Sequence, residues 1–206
     1  QLADKNGFIA CYPQGLIDED SNAFWQVGYT LHKDFKVDDV KFVVKLIEKL
    51  QSEYQLSKKN IFMTGFSNGG DFCNLLSCGT DGLFKATAPI ISCFMDEFYN
   101  NCQNASSIPT LMLNGTNDPI TLWDGDMNDS QGYGPYLSTK AMINFRLEQI
   151  QHDKVIRDTI ISPDSNEKTL VAIEKYSSSK SDNQVWMYSY LNGGHGYPNY
   201  LNLEEK

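Results

Sequence analysis

Histidine is scarce in this chain: the 206 residues hold three, His32, His152 and His195. Any chemistry that moves a proton through an imidazole near neutral pH has few carriers to choose from. Basic charge is also short. Seventeen Lys and Arg stand against 26 Asp and Glu, for a net charge of −9. Phosphate backbones and anionic bilayers both call for a basic face, so neither nucleic acid nor a membrane surface is expected as a partner. No apolar run approaches the roughly 18 residues of a membrane span. The five cysteines, Cys11, Cys73, Cys78, Cys93 and Cys102, lack zinc-site spacing, because no second pair and no histidine cluster accompanies Cys73 and Cys78. No metal or other cofactor is therefore expected. Cys11 and Cys73 sit in apolar stretches and read as buried thiols. Cys78, Cys93 and Cys102 lie near element ends, where one disulfide among them stays open.

What is present is ordinary globular material, 41% hydrophobic and 21% charged, in a length that suits one domain over residues 1–206. Its most informative stretch is Asn60-Ile61-Phe62-Met63-Thr64-Gly65-Phe66-Ser67-Asn68-Gly69-Gly70. Strand-forming residues lead into Gly65-Phe66-Ser67-Asn68-Gly69, which has the G-x-S-x-G form, and Phe72, Leu75 and Leu76 follow at helical spacing. Strand, sharp turn bearing serine, then helix is the context in which this motif presents a nucleophile. Glycines let strand and helix approach closely around a strained turn. The helix N-terminus aims N–H groups and a positive dipole end at the place where an oxyanion would form. The same five letters also arise by chance in Gly- and Ser-rich turns, so the partners of Ser67 decide.

Residues 1–6 read as the last turn of a helix capped by Gly7, and residues 8–12 as an apolar strand stopped by Pro13-Gln14-Gly15. A polar loop carrying Phe24, Trp25 and Tyr29 precedes an amphipathic helix with Val37, Val40, Val43, Val44, Ile47 and Leu50 on one face. Asp38 and Asp39 suit its first turn as plain helix-end charges. Strands are expected at 84–91, 109–113, 170–176 and 185–191, a loop at 92–107, and a helix at 139–151. Strands alternating with helices predict an α/β fold with a mostly parallel sheet. In such sheets ligands sit beyond the carboxyl ends of the strands. Ser67, Asp118 and His195 each stand just past a predicted strand end.

Serine needs an adjacent base to act as a nucleophile. His195, in Gly193-Gly194-His195-Gly196, follows the final strand and can supply it, whereas His32 and His152 flank helices. Ser, then Asp, then His is the chain order of α/β-hydrolases. Asp118 would orient the imidazole, with Asp124 and Asp126 as more distant alternatives. Asp124-Gly125-Asp126-Met127-Asn128-Asp129 looks like a calcium loop, yet it lacks the sixth-position glycine and the twelfth-position glutamate. It reads as a polar loop.

Tyr12-Pro13-Gln14-Gly15, Asp38-Asp39-Val40, Gly65 to Gly70, Asn114-Gly115-Thr116-Asn117-Asp118 and Gly193-Gly194-His195-Gly196-Tyr197-Pro198 form one ordered set. As a set it resembles the α/β-hydrolase esterases grouped with feruloyl esterases and polyhydroxybutyrate depolymerase-like proteins. The resemblance spans nearly the whole chain. It implies a secreted or periplasmic serine esterase with a triad of Ser67, Asp118 and His195, and the Asn68 N–H as one oxyanion donor. Trp25, Trp123 and Tyr197 would be substrate-binding rings for feruloyl, acetyl or polyhydroxyalkanoate-type esters. Asn114 stands where the family often has histidine, and Gly196-Tyr197 replaces a common Thr-Trp. The family's second oxyanion donor precedes the helix that residues 1–6 resemble. The expectation is thus an α/β-hydrolase fold lacking its N-terminal strands and final helix. The alternative from another class is a catalytically weak module that binds carbohydrate or a protein partner. A serine peptidase shares the same triad chemistry.

Overall fold

Four of the apolar runs become neighbouring parallel strands. The computed structural model describes residues 2–18, 21–102, 104–161 and 170–197. Helix α1 (Leu2–Asn6) ends at Gly7, whose φ of +67° is the left-handed conformation that closes a helix. A ribbon of β1 (Leu16–Ile17) and β2 (Ala23–Phe24) and a 3-10 turn at Thr30–His32 occupy the stretch read as a loop. Helix α2 (Asp39–Tyr54) starts at Asp38, whose carboxylate accepts from the Lys41 N–H. Then come β3 (Phe62–Phe66), α3 (Asn68–Gly79), β4 (Ala86–Ile90), α4 (Asp96–Asn101), β5 (Thr110–Gly115) and α5 (Thr139–Ile150). Strands β6 (Lys154–Ile161), β7 (Leu170–Ser178) and β8 (Ser181–Leu191) follow.

The sheet order is β3-β4-β5-β8-β7-β6. Strands β3, β4, β5 and β8 are parallel, and β7 and β6 extend the sheet antiparallel beyond β8. Phe66 pairs with Ile90, Ile90 with Leu113, and Gly115 with Tyr190. That register brings the carboxyl ends of all four parallel strands to one edge, where the loops carrying Ser67, Asp118 and His195 begin.

Two apolar clusters hold the helices to the sheet. Phe94, Met112, Met142, Phe145, Ile150, Val185 and Met187 pack α5 against β5 and β8. Val27, Val43, Phe72, Leu76, Phe84 and Ile108 join α2 and α3 to the segments beside them. Each such side chain contributes about 1.5–3 kcal/mol when fully buried.

Several expectations need correction. Residues 8–12 form no strand: Phe8, Ile9 and Tyr12 are exposed, and no described strand lies alongside to complete a ladder. Cys11 within them is exposed rather than buried. The 92–107 loop contains α4, and β6 was not anticipated. Asp39 is more than a helix-end charge, since its carboxylate is buried and accepts from the Gln26 N–H at 2.7 Å. Cys78 and Cys102 are disulfide-bonded, while Cys73 and Cys93 are buried free thiols. Pro198 and the chain after it, including any closing helix, lie outside the described residues.

Candidate active site

The site is built outward from a strained turn. Ser67 has φ +54° and ψ −124°, a conformation unusual for a residue with a side chain. Its N–H donates to the Ile90 carbonyl at 3.0 Å, and its own carbonyl accepts from Gly70 and Asp71 N–H at 2.7 and 3.0 Å. The flanking glycines are required by space. A Cβ on Gly65 would lie 2.1 Å from the Gly69 carbonyl oxygen, and one on Gly70 would lie 2.8 Å from the Ser92 Cβ.

The loops after β5 and β8 run against each other. Thr116 and Asn117 N–H groups donate to the Tyr190 and Gly193 carbonyls at 2.9 Å each. A Cβ on Gly115 would meet the Gly193 oxygen at 2.4 Å, so the approach requires glycine there. This contact sets His195 beside Asp118. The buried Asp118 carboxylate accepts from Ile120 and Thr121 N–H at 2.8 and 2.9 Å through Oδ1, and its Oδ2 lies 2.8 Å from His195 Nδ1. On the other side of the ring, His195 Nε2 is 2.8 Å from Ser67 Oγ. Chemically, such a row can draw a proton from the hydroxyl into the ring while the carboxylate holds the tautomer and steadies the imidazolium.

Asn68 is the first residue of α3, so its N–H has no acceptor within the helix. Its side chain is clamped by the Trp25 backbone: Oδ1 accepts from Trp25 N–H at 2.7 Å, and Nδ2 donates to Trp25 O at 3.0 Å. The Trp25 ring stacks on Phe72 with centroids 4.7 Å apart. Trp123 packs against the α5 cluster. Tyr197 is exposed and stacks on Phe66 at 4.9 Å, and Phe66 presents its ring to His195 at 5.4 Å.

The other candidates stand apart from this row. Asp124 is exposed. Asp126 is buried and ties its own loop, accepting from Ser130 and Gln131; the Ser130 N–H bond leads in holding its carboxyl below the usual value. His32 is buried against Phe24 and lies 3.5 Å from Asp18, and His152 meets Tyr176 edge-on. Among the described residues no group of three or more His, Cys, Asp or Glu could hold a metal ion. No helix among them is long and apolar enough to cross a membrane.

The sequence reading gives Asp71 no role and names Tyr29 only as a loop residue. Asp71, in the first turn of α3, is buried; its Oδ1 accepts from the Cys93 N–H at 2.7 Å and its Oδ2 from the Tyr29 hydroxyl. Burial pushes its pKa up to about 6 and raises that of Tyr29 as well. An acidic residue in the first turn of α3, four positions after the serine, is the signal that the sequence offers.

No known family profile matches the chain. It is 26% identical over 148 residues, 71% of its length, to feruloyl esterase B of Piromyces equi. It is 26% identical over 119 residues, 58% of its length, to a bifunctional acetylxylan esterase/xylanase of Neocallimastix patriciarum. The chain spans 27% and 16% of the length of these two relatives. Among solved structures it is similar to an acetyl xylan esterase from Aspergillus awamori, with TM-score 0.57, 12% identity, and coverage of 97% of this chain and 76% of that one. A Bacillus cereus carboxylesterase aligns with TM-score 0.50 at 14% identity over 89% of this chain and 66% of that one. The fold is that of the α/β-hydrolases.

Proposed function

We propose that residues 1–206 form one catalytic domain of a serine carboxylic-ester hydrolase, with Ser67 as nucleophile, His195 as general base and acid, and Asp118 as the orienting carboxylate. The observation that carries this reading is His195 standing 2.8 Å from both the Ser67 hydroxyl and the Asp118 carboxylate. The Ser67 Oγ attacks the ester carbonyl as its proton passes to His195 Nε2. The tetrahedral oxyanion is held by the Asn68 N–H at the positive end of α3. Collapse expels the alkoxide, which takes the proton from His195. Water, deprotonated by the same ring, then releases the acid and regenerates Ser67.

The relatives lend support to a substrate class. Esterases named for feruloyl and acetylxylan groups support feruloyl or acetyl esters of plant polysaccharide as substrates, with polyhydroxyalkanoate-type esters as a further class to assay. Trp25, Trp123 and Tyr197 are proposed as substrate-contacting rings, and the exposed Tyr197 beside Phe66 and His195 has the strongest support. The Cys78–Cys102 disulfide suits an oxidising compartment and so supports secretion.

A fluorophosphonate probe tests the reaction class. It should label the native protein at Ser67, and labelling should vanish in Ser67→Ala and drop by at least about 1000-fold in rate in His195→Ala. A folded protein that refuses the probe would sink the reading. Methyl ferulate, acetylated xylan and hydroxybutyrate oligomers assayed side by side would separate the substrate classes.

A further inference from the structure

Asp71 takes no part in the proton transfers above, yet it is a buried carboxylate one turn beyond Ser67. Its partners lead to the oxyanion donor. The Tyr29 hydroxyl donates to Asp71 Oδ2, and the Asn68 side-chain amide acts on the same phenol, lowering its pKa against the larger rise from burial. That side chain is held at both its polar atoms by the Trp25 backbone. On its other oxygen, Asp71 receives the Cys93 N–H from the turn after β4, where Ile91 is buried with φ +50°. We propose that ionised Asp71 is the positioning residue of the oxyanion donor, holding the first turn of α3 through Tyr29 and Asn68 and the turn after β4 through Cys93. This rests on the esterase reading of the same site.

Hydrogen-bond capacity explains why ionisation matters. A carboxylate only accepts, so Tyr29 must donate to it, which leaves the phenol lone pairs free to accept from the Asn68 amide that lowers its pKa. A carboxylic acid has a proton of its own to place. Oδ1 already receives the Cys93 N–H, so the proton goes to Oδ2 and points at Tyr29. The phenol hydrogen must then turn toward Asn68, whose Oδ1 is occupied by Trp25. Asn68 has to share that oxygen or swing, and the residue whose N–H faces the oxyanion moves with it. The titratable groups acting on Asp71 are Tyr29 from the loop before α2, Cys93 from the turn after β4 and His195 from the loop after β8. Burial sets the Asp71 transition at about 6 against the opposing pull of Tyr29, Cys93 and His195.

Two variants separate charge from shape. Asp71→Asn keeps the outline and imitates the protonated acid; Tyr29→Phe keeps the charge and cuts the relay. Hydrolysis of p-nitrophenyl acetate is followed from about pH 4.5 to about pH 8.5. The wild type should lose kcat/KM on the acid side along a limb of two proton uptakes, one of them at Asp71. Asp71→Asn should show one, with kcat at the alkaline plateau down about tenfold and KM unchanged, less than the loss from deleting an oxyanion donor outright. Tyr29→Phe removes a hydrogen bond that lowers the Asp71 pKa, so its steep limb should move to higher pH. Hydrogen exchange at the Trp25 amide gives a readout independent of catalysis. Corrected for intrinsic rates, it should quicken on acidification in the wild type and be fast at all pH in Asp71→Asn. If fluorophosphonate fails to label Ser67, the esterase reading falls while the exchange experiment still judges the relay. Losses of equal size at every pH with an unchanged acid limb, or Trp25 exchange indifferent to pH in the wild type, would overturn the proposal.

Discussion

Ser67 and Asp71, four residues apart, each carry a local cost. Ser67 carries it in its backbone, at φ +54°, a region that a side chain enters at about 1–3 kcal/mol. Asp71 carries it as a buried charge. Its folded pKa of about 6 lies above the 3.8 of an ordinary aspartate, so folding is opposed wherever the group is ionised. That opposition is fully present above the folded pKa, fades as pH falls through about 6, and is gone below the unfolded value. The span corresponds to up to about 3 kcal/mol. Urea unfolding of the wild type and Asp71→Asn at several pH values isolates this term, because every other carboxylate is common to both. The stability difference should favour the variant most near neutral pH and shrink by pH 4. A difference constant across that window would show that Asp71 does not change its protonation there. A variant more stable yet less active at neutral pH is the expected signature of a charge kept for the site rather than for the fold.

At the scale of elements, β3 and α3 meet so closely that the turn between them tolerates no side chain at Gly65. A Cβ there falls 2.1 Å from the Gly69 oxygen and 2.3 Å from its carbonyl carbon, whereas a Cβ on Gly69 meets nothing within 4 Å. Gly65→Ala should therefore cost about 3 kcal/mol or more and abolish probe labelling, because backbone must move. Gly69→Ala, inside a helix with open space for the added methyl, should hold or slightly raise the melting temperature. Equal effects from the two substitutions would contradict this packing. The contrast also shows what was legible in the sequence. Strand, turn and helix around Ser67 were readable because the pattern is local, and Asp118 and His195 because each follows a strand directly. Strand β6 was not, since all eight of its residues are exposed at a sheet edge and show no alternation of burial. Helix α4 buries no residue, so it has no apolar stripe to read. Residues 8–12 carry strand composition, but strand formation depends on a neighbour that composition does not reveal. The Tyr29–Asp71 contact joins positions 42 apart, and no motif links them.

Across the whole molecule, one covalent bond joins parts that the sheet does not. Cys78 near the end of α3 and Cys102 just after α4 close a loop with a sequence separation of 24. Both pack with the cluster that seats α5. Closing a loop of this length removes unfolded-state freedom worth about 3 kcal/mol. The elbow at Ser67 lies at the opposite end of α3, so the bond should matter for endurance more than for geometry. Thiol counting checks the arrangement. In the native protein a thiol reagent should find Cys11 alone, since Cys73 and Cys93 are buried and burial raises both thiol pKa values, that of Cys73 to about 12. Unfolding without reductant should release all three free thiols, and reduction all five cysteines. The doubly substituted Cys78→Ser, Cys102→Ser protein should lose about 3 kcal/mol in urea while Ser67 keeps its reactivity toward fluorophosphonate in the folded fraction. Five thiols titrating without reductant would show the bond absent. Loss of Ser67 labelling in the folded variant would show that this distant clamp shapes the elbow after all.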